Sequence, residues 1–224
     1  MLNIYLLKRF FYYFYGEKFF KRFNYNWSNY PSRFEIIQNI VDIKKYKNYL
    51  EIGCDKDSNF SKINNVEKKT GVDPTSGGNL RMTSDEFFKQ NKEKYNCIFI
   101  DGLHTYEQAR KDILNSIKIL EVEGIIILHD CLPTKIWNQV VPRIYGHWTG
   151  DVWKSIVEAR TMINIDTYTC IADHGLGIIL NRSNRNLLKL KKNNFKKLKF
   201  RDYYNNHKDF MNLIEVSELD QILR

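Results

Sequence analysis

The sequence has no long uninterrupted hydrophobic run, which limits how the protein can meet a membrane. Residues 1–23 are rich in Leu, Phe and Tyr, but charges such as Lys8, Arg9 and Glu17 break them up. A membrane span needs roughly 18 apolar residues in a row, and a signal peptide needs an apolar core before a small-residue cleavage site. Neither is expected here. We expect a helix that caps the domain or packs on a partner subunit in a homo-oligomer; peripheral contact with an anionic membrane is the alternative.

Cysteine is scarce, and its four copies show no paired spacing. Cys54, Cys97, Cys131 and Cys170 are scattered along the chain. Three of them fall in or beside segments that resemble strands. A disulfide framework of the kind that stabilises small secreted domains is therefore not expected. Reduced, buried thiols and a cytoplasmic location fit this distribution.

Acidic residues are absent from one stretch near the C-terminus. Residues 182–201 contain nine Lys or Arg and no Asp or Glu, so this stretch alone equals the formal net charge of +9. A basic stretch can neutralise phosphates, but few aromatic residues for base stacking interleave this one. Nucleic acid is therefore the less favoured partner, and a solvated basic face is the simpler interpretation.

The composition and pattern of the whole chain predict one α/β domain. Its 224 residues are 43% hydrophobic, which is enough to fill one sizeable core. Strand-like and helix-like segments alternate over residues 33–181, as in βαβ units around a doubly wound, mainly parallel sheet. We therefore divide the chain into an N-terminal aromatic and basic helical extension (1–32), the α/β domain (33–181), and a basic segment with a C-terminal helix (182–224).

Hydrophobic spacing and turn residues predict the individual elements. The predicted strands are residues 48–53, a strand ending at 73, 95–100, 124–128, 163–171 and 176–180. The predicted helices are residues 34–43, 84–91, 106–120, 152–160 and 208–223. Residues 173–177 are expected to form the tight turn between the last two strands.

Polar residues stand at the ends of four predicted strands. In order they are Glu51-Ile-Gly53, Asp73, Asp101 followed by His104, and His129-Asp130. Ligands of open parallel sheets bind beyond the carboxyl ends of the strands, so these residues are expected to meet. Gly53 would allow the backbone to approach a bound ligand closely. Asp73, about 20 residues later, could accept hydrogen bonds from the hydroxyls of a ribose.

These residues resemble the class I methyltransferases that use S-adenosyl-L-methionine (AdoMet), in particular small O-methyltransferases that modify glycans and natural products. The resemblance covers residues 49–180. It rests on Leu-Glu-Ile-Gly (50–53), Gly-Val-Asp-Pro (71–74), Thr-Ser-Asp-Glu-Phe-Phe (83–88), Phe-Ile-Asp-Gly-Leu-His-Thr-Tyr-Glu (99–107) and Leu-His-Asp (128–130). It implies a Rossmann-like, seven-stranded sheet whose last strand inserts antiparallel.

The resemblance also implies which residues bind the cofactor. The side chain of Glu51 and the backbone of Gly53 and Cys54 would face the methionine portion of AdoMet. Asp73 would bind the ribose. The adenine would lie against Ser84 and Asp85. Asp101 is a further predicted cofactor residue, which would bond the amino group of AdoMet directly if it does not hold a metal ion.

Two departures from the family pattern affect the cofactor loop. Asp55 and Asp57 stand where further glycines are common. Two carboxylates would repel a pyrophosphate, which disfavours a nicotinamide oxidoreductase, whereas the AdoMet sulfonium is cationic. The link from Asp73 to Thr83 is too short for the usual helix and predicts a loop at Gly77-Gly78.

For catalysis, methyl transfer to a hydroxyl needs a group that removes the proton. Histidine titrates near neutrality, and His104 is the predicted base, with Asp130 orienting it or the acceptor. The alternative is that His104 caps the following helix or bonds a backbone carbonyl. His129 is disfavoured because strand alternation would point it away from Asp130. Asp101 and Asp130 could also share Mg²⁺, as in catechol-type enzymes, although Cys131 stands where those enzymes have an oxygen ligand.

The acceptor is expected to be a small molecule or a glycan. Trp148 and Trp153 follow the fifth predicted strand, where they could stack on a sugar or pack against the sheet, and His174 is expected near the pocket mouth. Two other functions remain open: an RNA methyltransferase that uses the basic stretch, and a catalytically silent module that only binds AdoMet or a partner.

Overall fold

A computed structural model of the chain describes residues 4–19, 23–190 and 194–224. Its strands are β1 (Asn48–Ile52), β2 (Lys68–Val72), β3 (Tyr95–Ile100), β4 (Leu120–Leu128), β5 (Asp166–Cys170), β6 (Leu176–Leu180) and β7 (Leu213–Ile214). Its α-helices are α1 (Ile4–Gly16), α2 (Arg33–Lys44), α3 (Ser84–Gln90), α4 (Tyr106–Ile119), α5 (Ile136–Gln139), α6 (Trp153–Ala159), α7 (Phe200–Met211) and α8 (Leu219–Leu223).

The seven strands form one sheet in the order β2-β1-β3-β4-β6-β5-β7. The first four strands run parallel, and β6 is antiparallel to both of its neighbours, β4 and β5. The predicted Rossmann-like, mainly parallel α/β class is therefore confirmed. One detail differs: the inserted antiparallel strand is β6, and the last strand, β7, pairs parallel with the edge of β5.

Both faces of the sheet are covered, as the apolar run in β4 predicts. Ile126 and Leu128 belong to one buried cluster, and Ile125 and Ile127 belong to the cluster on the other face. The alternation follows from the two-residue period of a strand. It leaves the ends of the strands as the place where polar side chains gather.

Two helices on the cofactor side begin where sequence patterns place them. Ser32 precedes α2 and donates both its N–H and its hydroxyl to Glu35. Thr83 precedes α3, accepts from the N–H of Glu86 and donates its own N–H to the Glu86 carboxylate. These are capping boxes, which satisfy amides that the first helical turn leaves unpaired.

The predicted C-terminal helix over residues 208–223 is wrong. The chain forms α7, then the short strand β7, and then α8. Asn212 ends α7 in the left-handed conformation, with φ +49°. Asparagine tolerates this conformation, which stops a helix. The apolar residues whose spacing predicted one helix therefore belong to two helices, α7 and α8, which pack on different parts of the sheet.

Residues 1–3 and 20–22 of the predicted N-terminal helical extension lie outside the described ranges. Residues 191–193 of the basic stretch also lie outside them. Within the described part, α1 packs against α5. No helix there is long and apolar enough to cross a membrane.

Candidate functional site

The carboxyl ends of β1, β2 and β3 surround a cavity of about 450 Å³. Five of the predicted cofactor residues line it, namely Gly53, Asp73, Ser84, Asp85 and Asp101. The side chains of Glu51 and Cys54 do not. The residues that the sequence places at separate strand ends thus share one cavity, as expected for an open parallel sheet.

Asp73 organises the loops around this cavity. Its Oδ2 accepts the N–H groups of Cys54 and Asp55 at 3.1 and 3.0 Å. Its Oδ1 accepts from the N–H and hydroxyl of Thr75 and from the N–H of Ser76. Burial raises the pKa of Asp73, but these hydrogen bonds outweigh burial and lower the pKa to about 2. The carboxylate therefore stays charged and fixes the loops on both sides of the cavity.

Glu51 is almost fully buried beneath the cavity rather than in its wall. Its Oε2 accepts from the Tyr49 hydroxyl at 2.5 Å and from the Asn59 amide at 2.7 Å. Burial raises the pKa of Glu51 to about 7, although both hydrogen bonds act in the opposite direction. The contact of its side chain with the methionine portion stays a prediction.

The loop after β1 keeps its tight path although it has only one glycine. Gly53 has φ +87°, and Asp55 and Asp57 have φ +46° and +59°. Aspartate is one of the few residues that adopt this left-handed region readily. The Asp57 carboxylate also accepts the N–H of Gly78 at 2.7 Å, within the predicted Gly77-Gly78 loop.

The opposite wall of the cavity carries the residues predicted to face adenine. Gln108 of α4 donates to the hydroxyl of Ser84 and the carboxylate of Asp85, and Lys111 pairs with Asp85. Gln108 also lines the cavity, and sequence reasoning missed it. It lies one turn into a helix, where no strand-end pattern points to it.

His104 lies between two carboxylates, that of Asp101, a predicted cofactor residue, and that of Asp130, a predicted catalytic residue. Its Nε2 is 3.2 Å from Oδ1 of Asp101, and its Nδ1 is 3.2 Å from Oδ2 of Asp130. Its ring stacks on Trp148 with centroids 5.4 Å apart. The adjacent residues Asp101, Gly102 and Leu103 line the cavity. His104 and Asp130 are thus brought together beside the candidate cofactor site.

His129 belongs to the same cluster, contrary to the expectation that it points away from Asp130. Its Nδ1 is 3.2 Å from Oδ1 of Asp101 and 3.7 Å from Oδ1 of Asp130. The reason is that Asp130 has φ +59°. A left-handed residue ends the alternation of the strand, so His129 and Asp130 turn towards each other.

Two further residues extend this cluster and were not predicted. Asp173, in the turn before β6, has Oδ1 3.5 Å from Nε2 of His129. Arg33, at the start of α2, pairs with Asp173 at 3.3 Å and with Asp101 at 3.8 Å. They come from elements distant in sequence, and no spacing rule links them to the strand ends.

The charged side chains of the cluster shift one another's pKa values. Burial lowers the pKa of His129 and of His104, but the neighbouring carboxylates outweigh burial and raise both. Burial raises the pKa of Asp101, and the two histidines bring it below its ordinary value. Asp130 is the exception, because burial dominates and raises its pKa. The pKa of the Asp101 carboxyl is therefore lowered, whereas the pKa values of the two imidazoles are raised.

Three of these residues also fit a metal ion. One ligand atom each of Asp101, His104 and Asp130 lies within 4.8 Å of the others. Oδ1 of Asp130 is buried and accepts no hydrogen bond among the described residues. Cys131 is different: it is fully buried and its Sγ faces the carbonyls of Leu128 and His129. The thiol is therefore outside this group of donors.

Comparisons with known proteins bear on this arrangement. Residues 47–131 match a family model described as a methyltransferase domain. The chain is similar to an O-methyltransferase from Bacillus cereus crystallised with SAH, with TM-score 0.50 and 12% identity over 69% of this chain and 86% of that one. It is also similar to cofactor-bound Rv0187 from MTB, with TM-score 0.52 and 9% identity over 81% and 91% of the two chains. No curated protein matches it in sequence.

The matched residues contain β1 to β4 and the strand-end site. This part of the chain therefore matches a methyltransferase domain, and the fold of the chain is similar to that of an O-methyltransferase crystallised with its cofactor product. The cavity at the ends of β1 to β3 is the place in this domain where the predicted cofactor residues meet.

A second, aromatic cleft lies next to the histidine cluster. It encloses about 330 Å³. Its lining includes Arg9, Trp27, Trp137, Tyr145, His147 and His174. The rings of His147 and His174 are 3.9 Å apart, and those of His174 and His129 are 6.4 Å apart. Imidazole rings thus connect this cleft to the cluster, and His174 lines the cleft rather than the cofactor cavity.

The two tryptophans predicted on the acceptor side have different surroundings. Trp148 stacks on His104 and donates its Nε1 hydrogen to the carbonyl of Val140. Trp153 is fully buried and packs 4.8 Å from Tyr203 of α7. Stacking of Trp153 on a sugar is therefore wrong. Its role is core packing, because α6 lies between the sheet and the C-terminal part of the chain.

Proposed function

We propose that the methyltransferase transfers the methyl group of AdoMet to a hydroxyl of a small molecule or a sugar. The observation that carries this proposal is the position of His104 between Asp101 and Asp130, beside the cofactor cavity. A base held by two carboxylates suits an oxygen acceptor, whose proton has to be removed as the new bond forms. The likeness to the O-methyltransferase from Bacillus cereus supports the same choice.

In the proposed reaction the acceptor oxygen attacks the methyl carbon of AdoMet. The C–O bond forms as the C–S bond breaks, and the electron pair of that bond stays on sulfur to give S-adenosylhomocysteine. The acceptor proton passes to one ring nitrogen of neutral His104, while the other ring nitrogen stays paired with Asp101 or Asp130. Asp130 and Asp101 fix the imidazole and stabilise its cationic form, as carboxylates do for histidine bases generally. The enzyme must also hold oxygen and methyl in line.

The aromatic cleft is the proposed acceptor site. Trp27 offers a flat apolar face, and Arg9 and Lys135, which lie over the ring of Trp137, supply hydrogen-bond donors to the same cleft. Its volume of about 330 Å³ suits one sugar or phenolic ring with its substituents. A flat face combined with donors favours a hydroxylated ring over an aliphatic chain.

A divalent cation is compatible with the same cluster. We propose that Asp101, His104 and Asp130 would hold it, since two carboxylates and an imidazole form a common donor set. Such a cation, when bound, would orient acceptor hydroxyls and lower their pKa. The imidazole favours a transition metal over Mg²⁺, which prefers oxygen ligands. His104 would then be a ligand rather than a base.

We do not extend the proposal to RNA. In the described part of the basic stretch, Arg182 pairs with buried Asp166, and Lys196 pairs with Glu107. Arg182 is therefore committed to the protein interior instead of facing a phosphate backbone. A solvated face with structural ion pairs accounts for the remaining positive charge.

The proposal is tested with His104→Gln and a matched control, His207→Gln. His207 stacks on Phe23 at 3.9 Å, on α7. We expect wild type and both variants to bind AdoMet equally in calorimetry. Release of S-adenosylhomocysteine with a panel of sugars and phenols should fall about 100-fold or more only in His104→Gln, the usual scale for a lost general base.

Two outcomes would contradict this assignment. Absence of AdoMet binding by the wild-type protein would end the proposed function. Loss of turnover on chelation with EDTA, restored by Mn²⁺, would reject His104 as a free base and favour its role as a ligand.

A further inference from the structure

The outward side of α1 and the turn after it carries large apolar side chains exposed to solvent. We call this surface the outer face of α1; it consists of Ile4, Leu6, Leu7, Phe10, Phe11, Tyr15 and Phe19. Their exposed fractions range from 49% for Leu7 to 83% for Phe19. Monomeric soluble proteins rarely expose so many large apolar groups side by side, so such a surface indicates a partner.

The helix is fixed to the domain through its other side. The Arg9 guanidinium lies 4.7 Å above the ring of Trp137, and the N–H of Ile136 donates to Glu17. Gly16 packs directly against Ile136 and is buried. Since these contacts orient α1, its outer face is turned away from the body of the protein. The rest of the described chain therefore does not cover it.

The charges on α1 favour an anionic partner. Lys8 and Lys18 are exposed among the apolar side chains. The one acid of residues 4–19, Glu17, is buried and bonded to α5. A second copy of this helix would bring like charges together, whereas anionic lipid headgroups would neutralise them. The combination of Phe, Tyr and Leu with Lys is typical of helices that lie in a membrane interface.

The length of α1 excludes a transmembrane arrangement for it. Thirteen residues form a helix of about 20 Å, which is shorter than the roughly 30 Å of a hydrocarbon core. The helix can lie along a bilayer surface, with its apolar side chains among the acyl chains and its lysines at the headgroups.

We propose that α1 attaches the methyltransferase peripherally to anionic membranes through its outer face. This inference rests on exposure and charge and is independent of the proposed methyl acceptor.

The test is co-sedimentation of the full chain with lipid vesicles. We expect binding to a two-to-one mixture of phosphatidylcholine and phosphatidylglycerol, and weaker binding to phosphatidylcholine alone or at high salt. Phe10→Ser/Phe11→Ser should lower the affinity at least about tenfold, since two aromatic rings no longer enter the bilayer. Lys8→Glu/Lys18→Glu should remove the preference for the anionic mixture.

A matched control is Val122→Ser/Ile163→Ser, which removes two apolar side chains that are 83% and 72% exposed on the body of the domain. Its binding should equal that of wild type, and thermal unfolding should show all variants folded. Failure of wild type to bind the anionic mixture would overturn the proposal, as would equal loss in the control. A lipid-free dimer that Phe10→Ser/Phe11→Ser dissociates would identify a second copy as the partner instead.

Discussion

At the scale of single residues, the conformation of Asp130 determines the composition of the site. Its left-handed backbone turns its carboxylate towards His129 and His104, which both also contact Asp101. With Asp101 this gives two acids and two imidazoles within ion-pair distance of one another. Each buried charge of the cluster therefore has an opposite charge beside it, which avoids the cost of an unpaired buried charge.

Glu51 gives a prediction about stability and pH. Its pKa of about 7 in the folded protein exceeds the ordinary value of 4.5. The folded state thus holds this proton more tightly than the unfolded state, and the associated stability is lost as pH rises from about 4.5 to 7. Glu51→Gln keeps an acceptor for Tyr49 and Asn59 without the charge. We expect it to be more stable than wild type by up to about 3 kcal/mol at pH 8, and similar at pH 4.5.

Denaturant unfolding at several pH values measures this difference. Glu35→Gln is a useful control, because Ser32 lowers the pKa of Glu35 through hydrogen bonds and the effect of pH has the opposite sign. If the free energies of unfolding of wild type and Glu51→Gln changed equally with pH, the pKa of Glu51 would not be raised in the folded protein.

At the scale of the elements, the turn after β1 depends on one glycine. A Cβ on Gly53 would lie 2.3 Å from the carbonyl oxygen of Asp101, in a backbone with φ +87°. Gly53→Ala should therefore separate β1 from β3 at the cavity and weaken AdoMet binding at least tenfold, since the left-handed conformation alone costs about 1–2 kcal/mol. Calorimetric titration with AdoMet measures the effect.

Gly146→Ala is the control that introduces a Cβ in a left-handed backbone without a steric clash. Gly146 has a similar φ of +70°, but a Cβ there would meet nothing within 4 Å. We expect its AdoMet affinity to stay within about threefold of wild type, which corresponds to roughly 0.6 kcal/mol. Equal weakening in both variants would show that the close approach of Gly53 to Asp101 is not what matters.

Most elements could be predicted because their signals are local. The capping box at Thr83 and the apolar run of β4 need only neighbouring residues to be recognised. The site could be predicted as far as it follows strand ends. Gln108, Arg33 and Asp173 could not, because their places depend on how distant elements pack. The Asn212 break in the C-terminal helix was missed because a left-handed asparagine does not interrupt the hydrophobic spacing.

At the scale of the whole molecule, the C-terminal residues complete both cores. Tyr203 and Met211 are fully buried in one cluster, and Leu219 and Leu223 are buried in the other. Arg182 joins this part to buried Asp166 of β5 at 2.9 Å. We therefore propose that the boundary predicted at residue 182 does not separate an independent unit, and that residues 33–224 fold together.

Two truncations test this proposal. Removal of residues 182–224 should expose apolar surface on both faces of the sheet and abolish cooperative thermal unfolding. Removal of residues 1–19 should leave a cooperative transition, because the described residues of that segment bury little beyond Gly16 and Glu17. A cooperative transition in the first truncated protein would show that residues 182–224 are an appendage.

Arg9 belongs to α1, the helix that we propose to attach to membranes, and also to the wall of the aromatic cleft. A rotation of α1 when it settles on a lipid surface would move this guanidinium relative to Trp137 and thereby reshape the cleft. Attachment and substrate choice would then be thermodynamically linked: lipid would strengthen acceptor binding by the same factor as acceptor strengthens lipid binding. If α1 attaches as proposed, the enzyme would work best on molecules that it meets at the bilayer.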